Sequence, residues 1–223
     1  VLPALTGVYV KEKDAEKLAG VRMEAKVTLL IDGKNHVEDE GEVQFASYGL
    51  SGIPIFQISR YAAWALEDGK KCEICLDFLK EHTFEDVREI LEKQKKYTQT
   101  RRGVDCLLGI FPEKLSQVLL LRAKISAKKI RKDWTEEEIE RLLIQIKRMG
   151  FFITRCRGYE QAQVCTGGVP LTEIKGTTME SLKLSGLYLT GELLDVDGAC
   201  GGYNLQWAWS SGYLAGVHAA KKK

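Results

Sequence analysis

A run of period-two alternation constrains this chain most. Val21, Met23, Ala25, Val27, Leu29 and Ile31 alternate with Arg22, Glu24, Lys26, Thr28, Leu30 and Asp32. Successive side chains of a strand point to opposite faces, so the pattern predicts a strand with one buried face. Asp32-Gly33 supplies a turn signal. A second strand is expected over residues 36–45, with Val37, Val43 and Phe45 on one face. The acidic run Glu38-Asp39-Glu40 is expected to interrupt it at a solvated bend. The early part of the chain therefore reads as antiparallel β, preceded by residues 1–5, which read as the tail of something earlier.

Helical spacing follows. Pro54 suits a first turn, and Ile55, Ile58, Ser59 and Ala62 recur at helical intervals. Thr83 with Asp86, and Thr135 with Glu138, have N-capping spacing. Phe84, Val87, Ile90 and Leu91 are expected to form one buried stripe; Ile139, Leu142, Leu143, Ile146 and Met149 form another. Pro112 opens a third helix, expected to run to about Ser126. Strand character returns at Phe151 and Ile153 and again over residues 163–169, which could close the β domain.

Cys72-Glu-Ile-Cys75 has the spacing of a redox or zinc motif. Its neighbours Ile74, Leu76 and Phe78 make it a strand, where positions three apart face opposite sides, so the two sulfurs diverge. Asp195-Val-Asp197-Gly198 touches the calcium-loop pattern but is followed by no Glu at the twelfth position. No metal site is expected. His36, His82 and His218 are the only histidines and none adjoins a Gly-x-Ser-x-Gly elbow, so a nucleophilic triad has no support. No catalytic acid or base can be named.

A chain of 223 residues can bury a real core in one or two domains. A net charge of +2 makes no general electrostatic case for nucleic acid. Basic clusters at Lys93–Lys96, Arg101-Arg102, Lys124–Lys132 and Lys221–Lys223 read as solvated helix faces and an exposed tail, with no base-stacking surface and no nucleic-acid partner expected. No apolar run reaches the ~20 residues of a membrane span, and no membrane association or signal peptide is expected. Six scattered cysteines read as reduced thiols, which suits the cytoplasm.

Near the C-terminus lies Gly186-Leu-Tyr-Leu-Thr-Gly191-Glu192-Leu-Leu-Asp195-Val-Asp197-Gly198-Ala-Cys-Gly201-Gly202-Tyr203-Asn204-Leu-Gln-Trp-Ala-Trp-Ser-Ser-Gly212. Leu187–Leu189 reads as a short strand that stops at a Gly, and a helix opens at Gly202 or Tyr203. Its inner face is expected to carry Leu205, Ala208, Gly212 and Ala215 or Gly216. Glycine turns at a helix N-terminus can bring backbone N–H groups close to a phosphate or an electron-rich ring oxygen. An orphaned strand at Leu187–Leu189 would present an edge to a second copy, so a homodimer is an open alternative.

This segment closely resembles the C-terminal FAD-binding segment of a bacterial and archaeal flavoprotein family. Its members are described as NAD(P)/FAD-dependent oxidoreductases, aminoacetone oxidases and 3-dehydro-bile-acid Δ4,6-reductases. The resemblance extends to Thr166-Gly167-Gly168-Val169, Thr178–Ser181 and Tyr48–Gly52. The family opens with a Rossmann unit carrying G-x-G-x-x-G, and that motif does not occur in these residues. The chain is therefore expected to be the later part of a flavoenzyme.

The resemblance implies an α+β fold. An antiparallel, barrel-like β domain (residues 1–63 and 150–170) would hold an inserted helical subdomain (64–149). A strand-loop-helix piece of an FAD-binding Rossmann-like domain (171–223) would follow. It implies FAD contacts at Thr166, Gly167, Gly168, Gly191, Glu192, Asp197, Gly198, Gly201, Gly202, Tyr203 and Asn204, with Glu192 near the ribityl or ribose hydroxyls. The implied chemistry is hydride transfer through flavin N5, with NAD(P)H as a candidate donor and a small enone- or amine-like molecule as substrate. The alternative is a non-catalytic substrate-side fragment that binds no FAD by itself.

Overall fold

A computed structural model describes residues 1–221; Lys222 and Lys223 of the expected basic tail lie outside the described residues. The chain begins with β1 (Leu2–Ala4) and β2 (Val8–Val10), then the long hairpin β3 (Arg22–Ile31) and β4 (Lys34–Ala46). β5 (Gly49–Ser51), α1 (Ile53–Glu67) and β6 (Cys72–Asp77) follow. Four helices come next: α2 (Phe84–Thr98), α3 (Gly103–Leu107), α4 (Glu113–Arg122) and α5 (Glu136–Lys147). β7 (Met149–Cys156) returns to the sheet, and β8 (Val164–Thr166), β9 (Ile174–Lys175), β10 (Glu180–Ser181) and α6 (Tyr203–Lys221) complete the order.

Six strands close into an antiparallel barrel in the order β2-β5-β4-β3-β6-β7. The alternation of β3 holds through Ala25, Val27 and Leu29, which are buried in the interior; the register then shifts between Leu29 and Leu30, and Leu30, expected on the outer face, is buried. β4 does not bend at the acidic run. Glu38, Asp39 and Glu40 stay in register opposite Thr28, Val27 and Lys26. Lys26 reaches Glu38 at 2.7 Å and Lys80 reaches Glu40 at 3.1 Å, so cross-strand cations offset the charge and the strand runs on.

The structure moves several other expectations. Residues 1–5, read as a tail, carry β1, which pairs with β8 in a separate two-stranded sheet, and β2 directly after them closes the barrel beside β5 and β7. Gly49–Ser51, within the Tyr48–Gly52 stretch that shares in the resemblance, is a barrel strand. The 63/64 division falls inside α1, and β6, placed with the helices, lies between β3 and β7 in the barrel. α4 stops at Arg122 rather than Ser126, with Lys124 in left-handed backbone at φ 60°. Arg148 leaves helical geometry (φ −151°), so Met149 is the first residue of β7 and not the last of the α5 stripe. Leu187–Leu189 forms no strand: Tyr188 makes one isolated bridge to Glu180, so the edge proposed for a second copy is not formed.

The capping boxes of α2 and α5 form with Thr83–Asp86 and Thr135–Glu138, but in the α2 stripe only Val87 and Leu91 are buried and Phe84, at the first turn, is exposed. Ile55, Ile58, Ser59 and Ala62 of α1 are fully buried. One hydrophobic core runs from the barrel interior through α1 into the four-helix insertion, and a small separate cluster of Ile174, Met179, Leu194 and Ala215 supports the C-terminal piece. Cys72 faces the core and Cys75 the other side of the sheet. Burial pushes the Cys72 thiol up to about 11 and Cys156 up to about 12, which keeps them protonated and unreactive.

Arg122 ties the insertion to the barrel. Its guanidinium donates to Asp14 at 2.7 and 2.8 Å and to the Gly150 carbonyl at 2.8 Å, and it stacks 4.3 Å from the Phe151 ring centroid. These hydrogen bonds hold the Asp14 carboxyl below the usual carboxylate range. A depressed carboxylate stabilises the fold above its unfolded pKa, and that contribution is lost as pH falls through the lower folded value. Asp14→Asn is expected to cost about 1–2 kcal/mol at neutral pH. In urea melts the gap to the parent protein should close below about pH 4; an equal gap at pH 3 and pH 7 would refute the assignment.

Candidate functional site

The C-terminal piece is a chain of short turns held against α6. A single turn of 3-10 helix, Gly191–Leu193, lies against that helix. Buried Ser211 accepts from the Gly191 N–H at 2.9 Å, and the Trp207 indole donates to the Gly191 carbonyl at 3.0 Å. The buried face of α6 is Ser211 and Ala215, flanked by half-buried Trp207 and Leu214. Of the face expected to be inner, Ala215 is buried, whereas Leu205, Ala208, Gly212 and the alternative Gly216 are exposed together with Trp209 and Tyr213. Periodicity set the repeat correctly and the facing wrongly, because Trp207 and Ser211 carry the groups that satisfy the Gly191 backbone.

The loop before α6 is fixed from α1, by residues that the sequence did not mark. Arg60 donates to the Asp197 and Gly198 carbonyls, the latter at 3.2 Å, and lies 3.4 Å from the Asp197 carboxylate. Gln57 accepts from the Cys200 N–H at 3.1 Å and from Arg60 at 3.2 Å. Within the loop, Asn204 and Gly198 exchange two hydrogen bonds, 2.7 and 3.0 Å, in the manner of a helix cap. The only sequence signal for Gln57 and Arg60 is their i, i+3 placement on one helix, which does not distinguish them from other surface residues.

Between this loop, β8 and α6 is a cleft of about 400 Å³. Its walls include Gln163, Glu192, Val196, Cys200, Gly201, Gly202, Asn204 and Trp207. Of the predicted site residues, Glu192, Gly201, Gly202 and Asn204 come together here. The others do not line it. Thr166 accepts from the Trp64 indole at 3.0 Å, and Gly167 packs on that ring. A Cβ on Gly168 would sit 2.8 Å from the Leu193 carbonyl oxygen, so this glycine permits the pairing of Val169 with Leu194. Gly191, Asp197 and Gly198 are used in the internal bonds described above. Tyr203 projects to solvent.

Glu192 sits on the 3-10 turn and not at a strand end; one carboxylate oxygen accepts from the Cys165 N–H. Gly201 and Gly202 have φ of 119° and 93°. A Cβ on Gly202 would meet nothing within 4 Å, so the requirement there is backbone conformation and an open approach to the main chain. Among the described residues, the N–H groups of Gly201, Gly202 and Tyr203 have no acceptor. They lie at the N-terminal end of the 19-residue α6, where the dipole is positive. Burial raises the Cys200 thiol, so the cleft presents it as SH. The cleft therefore offers amide donors, a carboxylate oxygen and an apolar wall, and suits a planar electron-rich ring with hydroxyls attached.

Comparison with known proteins gives this arrangement a context. The family described as "HI0933-like protein barrel and H2TH domain" matches residues 2–164. The chain belongs to the HI0933-like family. It is 43% identical over 222 residues to the 3-dehydro-bile acid delta(4,6)-reductase of Clostridium scindens, covering 100% of this chain and 54% of that protein. It is 30% identical over 211 residues to the ribosomal RNA dihydrouridine synthase of Haemophilus influenzae, covering 95% of this chain and 49% of that one. With the Escherichia coli protein of the same name the identity is 30% over 201 residues, covering 90% and 47%. The chain thus spans about half the length of the curated relatives it matches. The family recognised from the C-terminal motif is borne out, as is the antiparallel barrel with helices. Among the described residues no helix is long and apolar enough to cross a membrane.

The latch from α1 should be measurable. Arg60→Ala leaves the Asp197 carboxylate without its cation, and a loss of about 2–3 kcal/mol is expected. Hydrogen exchange should accelerate over residues 196–204 and stay unchanged in the barrel hairpin β3–β4. Uniform acceleration, or none, would show that Arg60 does not hold the loop.

Proposed function

We propose that this chain is part of an FAD-dependent oxidoreductase and that the cleft at the start of α6 takes the flavin ring edge. The observation that carries this reading is the pair of N–H groups at Gly201 and Gly202, which among the described residues have no acceptor and lie on the cleft wall at the positive end of a long helix. Bound there, the flavin supplies hydride transfer through its N5, with NAD(P)H as donor and a conjugated carbon–carbon double bond as acceptor. The relatives favour an enone-like acceptor over an amine. One is named as a reductase of unsaturation in a 3-oxo steroid, and the others for a product in which a uracil ring has lost its conjugated double bond.

The chain's own residues would do four things. The Gly201 and Gly202 amides, with the helix dipole, stabilise negative charge at the ring edge and so make reduction easier. The Glu192 oxygen not used by Cys165 accepts from sugar-alcohol hydroxyls. Trp207 and Val196 keep water from the inner wall. Arg60 and Gln57 hold the loop in place before any ligand arrives, which reduces the ordering cost on binding. The pyrophosphate needs a site that these residues do not contain.

A second reading is favoured by the exposed face of α6. Leu205, Trp209 and Tyr213 are each 60% exposed or more, so the helix that walls the cleft carries an uncovered apolar face. On that reading the described residues alone hold no FAD and serve as the substrate-side portion.

The test is an absorption spectrum of the purified chain after incubation with FAD and gel filtration. Retained bands near ~450 nm support the first reading, and Gly202→Val should abolish them, because Val does not tolerate φ near 93°. NADH oxidation with candidate enones would then be assayed. A colourless chain would support the second.

A further inference from the structure

Arg60, Arg122 and Arg131 each reach a carboxylate. Among the described residues, the side chains of Arg155 and Arg157 reach neither a carboxylate nor any other hydrogen-bond acceptor. What holds them is aromatic. The Arg155 guanidinium lies 4.0 Å from the Tyr9 ring centroid, and that of Arg157 lies 4.4 Å from the Tyr48 centroid. The two rings touch, with 5.4 Å between centroids. Attraction to a ring face fixes each guanidinium without using its N–H donors. The Nε of Arg157 is buried and has no acceptor, which costs free energy unless a bound group supplies one.

The strands build this placement. Tyr9 of β2 is the register partner of Arg155 in β7, and the Arg157 N–H donates to the Gly7 carbonyl at 2.9 Å. Cys156, between the two arginines, turns inward to the Ser59 carbonyl. Arg155 and Arg157 therefore share the outer face, about 7 Å apart along the chain. Gly7 makes room for Tyr48, since a Cβ there would sit 2.6 Å from the phenol oxygen. The cluster also adjoins the cleft. Thr6 Oγ1 donates to the Gln161 carbonyl at 3.4 Å, and the Gln163 N–H donates to the Leu5 carbonyl at 3.3 Å. Residues 5–7 thus run beside residues 157–163, which end at the Gln163 wall of the cleft.

The chemistry narrows the ligand. Two planar forks with unused donors call for oxyanions. A single carboxylate is satisfied by one fork and leaves the other unmet. A pyrophosphate presents two phosphoryl groups in series, one for each fork. A nucleic-acid strand would need a longer run of free cations and open ring faces, whereas here each ring is covered by a guanidinium and by its neighbour. We propose that Arg155 and Arg157, held on Tyr9 and Tyr48, bind the pyrophosphate of the nicotinamide dinucleotide that serves as hydride donor. The donor assignment rests on the oxidoreductase reading; the pyrophosphate site needs no flavin bound.

FAD carries a pyrophosphate as well, and the experiment separates the two sources. The purified chain, before any FAD is added, is titrated with inorganic pyrophosphate in a calorimeter, and NADH and FAD are then used as competitors. Pyrophosphate should bind, and NADH should displace it while its own fluorescence becomes polarised. Arg155→Gln and Arg157→Gln should each weaken binding by about tenfold or more. Arg157→Lys should not restore it, because an ammonium lacks the fork. Gly7→Ala, which displaces Tyr48, should weaken binding with both arginines present. Lys34→Gln, on the barrel hairpin, should change nothing, and circular dichroism checks that each variant is folded. Four outcomes overturn the proposal: no binding of pyrophosphate; succinate binding as tightly as pyrophosphate; a loss with Lys34→Gln equal to that with the arginine variants; or failure of NADH to displace pyrophosphate at concentrations where FAD does or below. A chain that binds pyrophosphate and NADH but retains no flavin leaves this site standing and counts against the cleft reading alone. Flavin retained without pyrophosphate binding refutes this site alone.

Discussion

Barrel closure rests on one strand. β7 is hydrogen-bonded along both edges, to β6 on one side and β2 on the other. Without it two strand edges would be left with unpaired amides and carbonyls. The strand is reached only after the four-helix insertion, so its register depends on how that insertion returns the chain. Arg122 settles this by bonding the Gly150 carbonyl and stacking on Phe151 while its other nitrogens hold Asp14. The insertion and the barrel share a continuous core, so they behave as one packed body and not as two lobes joined by linkers.

From that closure the site follows. The chain leaves β7, passes through β8, and is anchored there by pairing with β1. This places the Thr166–Gly168 turn beside Trp64 of α1 and beside the backbone of residues 193–195, and Gln163 on the cleft wall. α1 also supplies Gln57 and Arg60, which fix the loop in front of α6. The cleft is thus assembled from three parts of the chain far apart in sequence. Its donors are backbone groups, whose direction is set by positive-φ glycines and not by side-chain identity.

Much of the fold was legible in the sequence because the signals were local. The β3 alternation, the Thr83 and Thr135 capping boxes and the α1 stripe each depend on residues a few positions apart. The errors share one cause. The run Glu38–Glu40 reads as a solvated bend on its own, but Lys26 and Lys80 come from other elements to neutralise two of the three acids. β2 and β5 are three-residue strands, too short for any periodicity, and exist because the barrel needs their edges. Met149 continues the spacing of α5 and yet belongs to β7, where the change of backbone at Arg148 places it.

The sequence by itself determined the family, the elements with strong repeats, and the Gly201-Gly202-Tyr203 opening of α6, since backbone freedom and helix initiation are encoded within a few residues. Only the tertiary structure decided which predicted site residues share a cleft. Glu192, Gly201, Gly202 and Asn204 meet there, whereas Thr166, Gly167, Gly168, Asp197 and Gly198 serve as internal fastenings. Only the tertiary structure, too, set the Arg155 and Arg157 guanidiniums on the Tyr9 and Tyr48 rings. Hydrogen-bond saturation and packing are properties of the whole chain, and they choose among the roles that a local motif leaves open.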